Sequence, residues 1–350
     1  MHDDEGIYYN WILFRNGKDF PAEWVEMTSP DMNSWTQTEI RIKRGREFSQ
    51  TSYIPSALGG SVWRDDEGDI VFVISMQPCK LMDGSEITRD SGIAYFVLHG
   101  LGQPIYKTGV LAPEKPAGIN DWRDTFIYQT DDGLHFAIST GNRVEFWKIN
   151  SFETNDIEKV DELYVRGFGV EVPKVIRFGE NKWYISCSVQ DAPDPTKGPF
   201  QSSYWYLCKL VDGKFEVYSQ GQHEYGPEGY AQRVSDPYQT KITKKAYVRA
   251  MLGNWNYNTD IWAWKGGCYG TDELSLSEYW VGLTPNDLFT DYYDNGTAVY
   301  ILKGKNLIKG YKLSFNKGDI TFYLEADKFF GIIKLILDWK SEQNKEDKQM

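Results

Sequence analysis

The sequence predicts an all-β protein built from many short strands, and three observations carry that expectation. Runs rich in aromatic and β-branched residues recur along the chain, at 7–14, 70–76, 92–99, 134–140, 143–149, 182–189, 202–210, 214–219 and 246–252. Such runs, six to nine residues long, have the composition of strands. Tight-turn signals separate many of them: RDDEGD at 64–69, TDDGLH at 130–135, FGENKW at 178–183 and LVDGKF at 210–215. Before residue 327 no long stretch shows a 3.6-residue apolar period, so helices are not expected there.

A strand-rich body running to residue 326 is too long for one simple sandwich. Four or five blades of four strands suit that length, although no WD-type repeat is visible. The last segment differs. Residues 327–343 read as a short helix with Phe329, Phe330, Ile333, Ile336 and Leu337 on one side, or else as a broken strand. The final NKEDKQM is polar and reads as a disordered tail.

Composition narrows the function. The net charge of −12 argues against a nucleic-acid or anionic-membrane partner and is compatible with a neutral small molecule or oligosaccharide. Aromatic residues make up 15% of the chain, with 13 Trp and 23 Tyr. Most suit strand packing, and some suit stacking on the C–H faces of sugar rings. No apolar run of membrane-spanning length occurs. The N-terminus MHDDEGIYYN lacks the apolar core of a signal peptide, so the expected location is cytoplasmic, with a missing true start as the alternative. Cys79, Cys187, Cys208 and Cys268 lie far apart with no CxxC pair. They read as buried free thiols, with two disulfides as the alternative, and no metal site is expected. His2, His99, His135 and His223 show no ligand or triad spacing, and no nucleotide-binding motif is present, so no cofactor is expected.

Six segments, in order, resemble landmarks of glycoside hydrolase family 32, the invertases, levanases and inulinases. WVEMTSPDMNSW (24–35) matches W-G-H-A-x-S-x-D-L-x-x-W at Trp24, Ser29, Asp31 and Trp35. LGGSVW (58–63) keeps Gly60 and Ser61 of F-S-G-S-A. WRDTF (122–126) carries Arg123 and Asp124 of R-D-P, with Thr125 in place of proline. VEVPK (170–174) carries Glu171 and Pro173 of E-C-P, with Val172 in place of cysteine. EYGPEGYAQ (224–232) is similar to D-x-G-x-D-F-Y-A-x-Q, and AMLGNWNYNTD (250–260) to the G-W-M-G-N-W-x-Y-A stretch.

The resemblance implies a five-bladed propeller over residues 1–290. It leaves 291–350 for a short β/α extension in place of the family's full β-sandwich. It also implies a retaining glycosidase acting on β-fructofuranosides such as sucrose, levan or inulin. Glu171 would be the acid/base and Asp124 the transition-state stabiliser. Asp3, aligned through Gly6 with the W-M-N-D-P-N-G motif, would be the nucleophile, although His2, Asp4 and Glu5 replace the motif's neighbours. Arg123, Trp24, Ser61, Tyr230 and Trp255 are the expected substrate-binding residues. Three other readings stand beside this one: a non-catalytic fructan-binding relative, a fructosyltransferase, and a propeller glycosidase acting on arabinose or xylose.

Overall fold

The computed structural model describes most of residues 1–222 and, beyond them, only strands between 229 and 322. The expected helix at 327–343 lies outside the described residues, as does Trp255. The described elements are all strands.

An N-terminal sheet holds β1 (Tyr8–Phe14), β2 (Glu23–Ser29) and β3 (Thr36–Ile42), in that order. A two-residue ladder of β4 (Glu47–Phe48) and β5 (Ser52–Tyr53) follows. Blade A contains β6 (Ala57–Arg64), β7 (Ile70–Met76), β10 (Gly92–Leu98) and β11 (Ile105–Ala112). A small ladder of β8 (Cys79–Lys80) and β9 (Glu86–Ile87) interrupts it. Blade B is β12 (Arg123–Thr130), β13 (Gly133–Thr140), β14 (Arg143–Ser151) and β15 (Asp156–Tyr164). Blade C is β16 (Phe168–Gly179), β17 (Lys182–Asp194), β18 (Gly198–Val211) and β19 (Lys214–Gln222). Blade D is β20 (Gly229–Val234), β21 (Ala246–Leu252), β23 (Asp272–Leu276) and β24 (Val281–Pro285), with β22 (Gly267–Cys268) paired to β21. A last hairpin joins β25 (Leu313–Asn316) to β26 (Asp319–Phe322).

This arrangement corrects the expected blade count. Among the described residues four sheets carry a four-strand path, giving a four-bladed propeller arrangement rather than five blades, and the N-terminal sheet has three strands. The reason is legible after β3. Residues 43–52, KRGREFSQTS, are charged and polar, with no alternating apolar face to bury as a fourth strand.

Alternation within each strand explains the packing. In β13, Phe136 and Ile138 face blade A, where they join Trp63, Val73, Tyr95 and Trp122. Ala137 faces the other way, into a cluster with Tyr128, Phe146, Val175, Trp183 and Ile185 of blades B and C. Blade B therefore buries both faces between its neighbours. Central strands β7 (IVFVISM) and β10 (GIAYFVL) are buried along their whole length, and so they read as continuous apolar runs. Strand β15 (DIEKVDELY), at the edge of blade B, is charged, which discourages pairing with another chain. The first strands β6, β12, β16 and β20 lie side by side in sequence order. Hairpins form where expected: Asp212 at φ 50° and Gly213 at φ 78° make the two-residue turn between β18 and β19.

Candidate active site

Each blade starts with a strand that carries the same irregularity. In β6 the register jumps between Ala57 and Gly60, in β12 between Arg123 and Phe126, in β16 between Glu171 and Lys174, and in β20 between Tyr230 and Arg233. In every case three residues on the first strand span two on its neighbour, which defines a one-residue bulge. A bulge re-aims the side chains around it. Arg123, Glu171 and Tyr230, all expected from sequence to serve the site, thus occupy the same position on three successive blades.

Two of these bulges bring the candidate acids together. Asp124 has φ 60° and Val172 has φ 45°. For a β-branched valine this backbone is strained, costing about 1–3 kcal/mol. In return, the Val172 N–H donates to Oδ2 of Asp124 at 3.2 Å, so the residue after Glu171 is tied to the carboxylate of the neighbouring blade. The Asp124 carboxylate also lies over Gly59 of the β6 bulge, so closely that a Cβ there would collide with it.

Cross-blade hydrogen bonds hold Asp124 in place. Its N–H donates to the fully buried Ser75 Oγ at 3.0 Å, and that hydroxyl donates to Gly59 O at 2.7 Å. Thr125 stands where the family motif has proline. Its hydroxyl donates to Val73 O at 2.7 Å, so a hydrogen bond across the blades fixes the bulge that a proline ring would stiffen. Ser61 Oγ accepts the Ile127 N–H at 2.5 Å, which makes it part of the same stitching.

Glu171 sits at the centre of the polar network, its side chain only 17% exposed. Oε1 accepts from Arg123 Nη2 at 2.5 Å and from Gln190 Nε2 at 2.8 Å. The same guanidinium nitrogen is 3.2 Å from Asp121 Oδ2. Burial and the adjacent Asp124 carboxylate push the Glu171 carboxyl up to about 7, against the opposing pull of Arg123 and Gln190. Burial, reinforced by Asp124, also raises Asp121, with Arg123 opposing. Glu171 is therefore a carboxyl that can carry a proton near neutral pH and release it without a large penalty.

The other expected residues fall in different places. Asp3 lies in the turn before β1, where its Oδ1 accepts the N–H groups of Glu5 at 3.0 Å and Ile7 at 2.8 Å. Its hydrogen-bond partners are the backbone of its own turn, and it makes no hydrogen bond to Arg123, Asp124 or Glu171. Trp24 is 5% exposed and packed edge-on against Phe72, a core ring rather than an open platform. Sequence reading did not single out Asp121, Ser75 or Gln190. Asp121 lies two residues from Arg123 and was within reach of the motif. Ser75 and Gln190 reach the site from other strands, and nothing in their own segments marks them. Among the described residues no cluster of His, Cys, Asp and Glu could hold a metal ion, and no helix is long and apolar enough to cross a membrane.

Residues 6–279 match the family model "Glycosyl hydrolases family 32 N-terminal domain". The chain belongs to glycosyl hydrolase family 32. The family match begins at Gly6, three residues after Asp3. Among sequence relatives, the chain is 25% identical over 302 residues to a levanbiose-producing levanase of Bacillus subtilis, covering 78% of this chain and 54% of that protein. It is 24% identical over 291 residues to a levanbiose-producing levanase of Geobacillus stearothermophilus, covering 77% of this chain and 69% of that one. The chain thus spans about half the length of the first relative. Among solved structures, a family 32 β-fructofuranosidase of Bombyx mori superposes with a TM-score of 0.61 at 16% identity, over 84% of this chain and 63% of that chain. A sucrose-6-phosphate hydrolase of Lactobacillus gasseri gives a TM-score of 0.58 at 14% identity, over 83% and 60%. These likenesses show the fold. The family 32 membership rests on the sequence match.

Proposed function

We propose that this family 32 chain is a glycosidase that cleaves β-fructofuranosidic bonds, with levan as the first candidate substrate and sucrose and inulin next. The observation that carries the reading is the pair of neighbouring bulges that set Asp124 beside a protonatable, buried Glu171. The two levanase relatives support levan as the first choice.

In the proposed reaction Glu171 gives its proton to the departing glycosidic oxygen as the bond to the fructosyl C2 breaks. Asp3 attacks C2 and forms a fructosyl–enzyme ester. Glu171, now ionised, takes a proton from water, which attacks C2 and releases fructose with retention. Asp124 accepts hydrogen bonds from sugar hydroxyls and strengthens that grip as positive charge develops on the ring. Arg123 holds Glu171 and Asp121 in place by its planar set of donors. Tyr230 and Trp255 are proposed to contact the sugar, Tyr230 from the bulge position it shares with Glu171. No cofactor enters this scheme.

One observation favours a second reading, a sugar-binding relative without turnover. The two hydrogen bonds that Asp3 Oδ1 accepts both come from the backbone of its own turn. The test is fructose and levanbiose release from levan, sucrose and inulin by the purified protein, by Glu171→Gln and by Asp3→Asn. Loss of release in both variants without loss of melting temperature supports the hydrolase. Saturable sugar binding with no release by the parent supports the second reading.

A further inference from the structure

We infer that Gln190 is a positioning residue for Glu171: together with Arg123 it occupies Oε1, so that the transferable proton sits on Oε2. This inference rests on the reading of Glu171 as the acid. Both donors converge on one oxygen, Arg123 Nη2 at 2.5 Å and Gln190 Nε2 at 2.8 Å. Among the described residues, Oε2 accepts no hydrogen bond. A guanidinium carries donors only, so a proton on Oε1 would point at another proton. Turning the Gln190 amide over would place its carbonyl oxygen against the same Oε1. The arrangement therefore leaves Oε2 as the oxygen that carries the proton to the leaving group.

The backbone is shaped to deliver this side chain. Gln190 lies in a second bulge, on β17, where the register against β18 jumps between Val189 and Ala192. On its other side it stands opposite Gly169, because Phe168 pairs with Asp191 and Val170 with Val189. Glu171 is then its diagonal neighbour on the same face, within reach of a long side chain. Gly169 has φ 66°, and a Cβ there would lie 2.9 Å from Gln190 Cβ and 3.0 Å from its Oε1. Only glycine leaves the amide room to fold across onto the carboxyl. The hydrogen bond from Gln190 favours the ionised form of Glu171, opposing the effect of burial.

The test compares the parent with Gln190→Met, which keeps the length and removes the donor, and with Gln190→Glu, which keeps the shape and replaces the donor by an acceptor. Two readouts are used. The first is the titration of the Glu171 carboxyl by carbon-13 NMR, which needs no substrate. The second is the pH dependence of kcat/KM with kcat and KM separated. The expected result is an upward move of the Glu171 titration in Gln190→Met and a larger one in Gln190→Glu. The alkaline limb of kcat/KM should follow it, and kcat should fall about 10-fold with KM within twofold, because the interaction orients the proton rather than the sugar. Titration and limb that superimpose on the parent's in both variants would overturn the inference. If the parent releases no sugar, the hydrolase reading fails, and the NMR titration alone still decides whether Gln190 governs Glu171.

Discussion

The first strands of blades A, B and C have two ends, and each end of blades B and C carries an arginine–carboxylate pair of almost the same length. At the bulged end Arg123 meets Glu171 at 2.5 Å, and both side chains are mostly buried. At the far end Arg177 meets Asp131 at 2.6 Å, with the aspartate 88% exposed. From Asp124 to Asp131 is about 23 Å of extended chain at ~3.3 Å per residue. The far end opens on a cavity of about 680 Å³ lined by Arg64, Asp65, Asp131, Arg177, Glu180 and Trp183, among others. None of the candidate catalytic residues lines it. The contrast teaches that pair geometry does not make a site here. Burial does: with Asp124 beside it, it pushes the Glu171 carboxyl up to about 7 against the pull of Arg123, whereas the exposed pair at Asp131 is a screened surface contact.

The largest expected effect is at the buried end. Glu171→Gln should lower turnover of levan or sucrose by about 10³-fold or more, with no loss of melting temperature, as measured by product release and thermal unfolding. Asp124→Asn should follow, at about 10²- to 10³-fold in kcat, because charge stabilisation in the transition state is lost while the bond to the Val172 N–H can persist.

The pH dependence sharpens the same contrast. Glu171 in the folded protein titrates at about 7, above its ordinary 4.5, so the folded state binds the proton more tightly than the unfolded chain does. Its contribution to stability is therefore full below about 4.5 and is lost as pH rises through about 7. Glutamine mimics the protonated form. The melting temperature of Glu171→Gln relative to the parent should thus climb by a few degrees from pH 4.5 to pH 7.5. A flat difference would remove the buried-acid account.

Ser75→Ala should have a moderate effect. It leaves the Asp124 N–H and Gly59 O without their shared partner, for about 1–2 kcal/mol of stability and a fall in kcat. The smallest effect belongs to the exposed end. Asp131→Asn should change stability by under about 0.5 kcal/mol and leave activity untouched, by the same unfolding and product assays.

Much of this was legible in the sequence. Strand runs and Asp-Gly or Glu-Asn turns gave the all-β body, since both depend on local chemistry. The ordered R-D and E-x-P landmarks led to Asp124 and Glu171, which the fold sets side by side. The bulges were not legible. Nothing in VEVPK says that Val172 takes a left-handed backbone, because that conformation is imposed by the neighbouring blade. Ser75 and Gln190 were missed for a related reason, as they act through pairing with distant strands. Length left four or five blades open, and the choice of five followed the resemblance rather than the local pattern: residues 43–52 supply chain but no apolar alternation. Trp24 shows the opposite hazard, a motif residue whose ring is spent on the core.

The most direct test of the central claim is to compare Glu171→Gln on two donors, levan or sucrose and a fructofuranosyl fluoride, whose leaving group needs no proton. The account predicts that the variant loses turnover of the natural substrate by about 10³-fold while keeping most of its first-turnover rate of fluoride release, the step that precedes the need for Glu171 as base. Equal loss of the first-turnover rate on both donors, or no loss on either, would contradict the assignment of Glu171 as the acid.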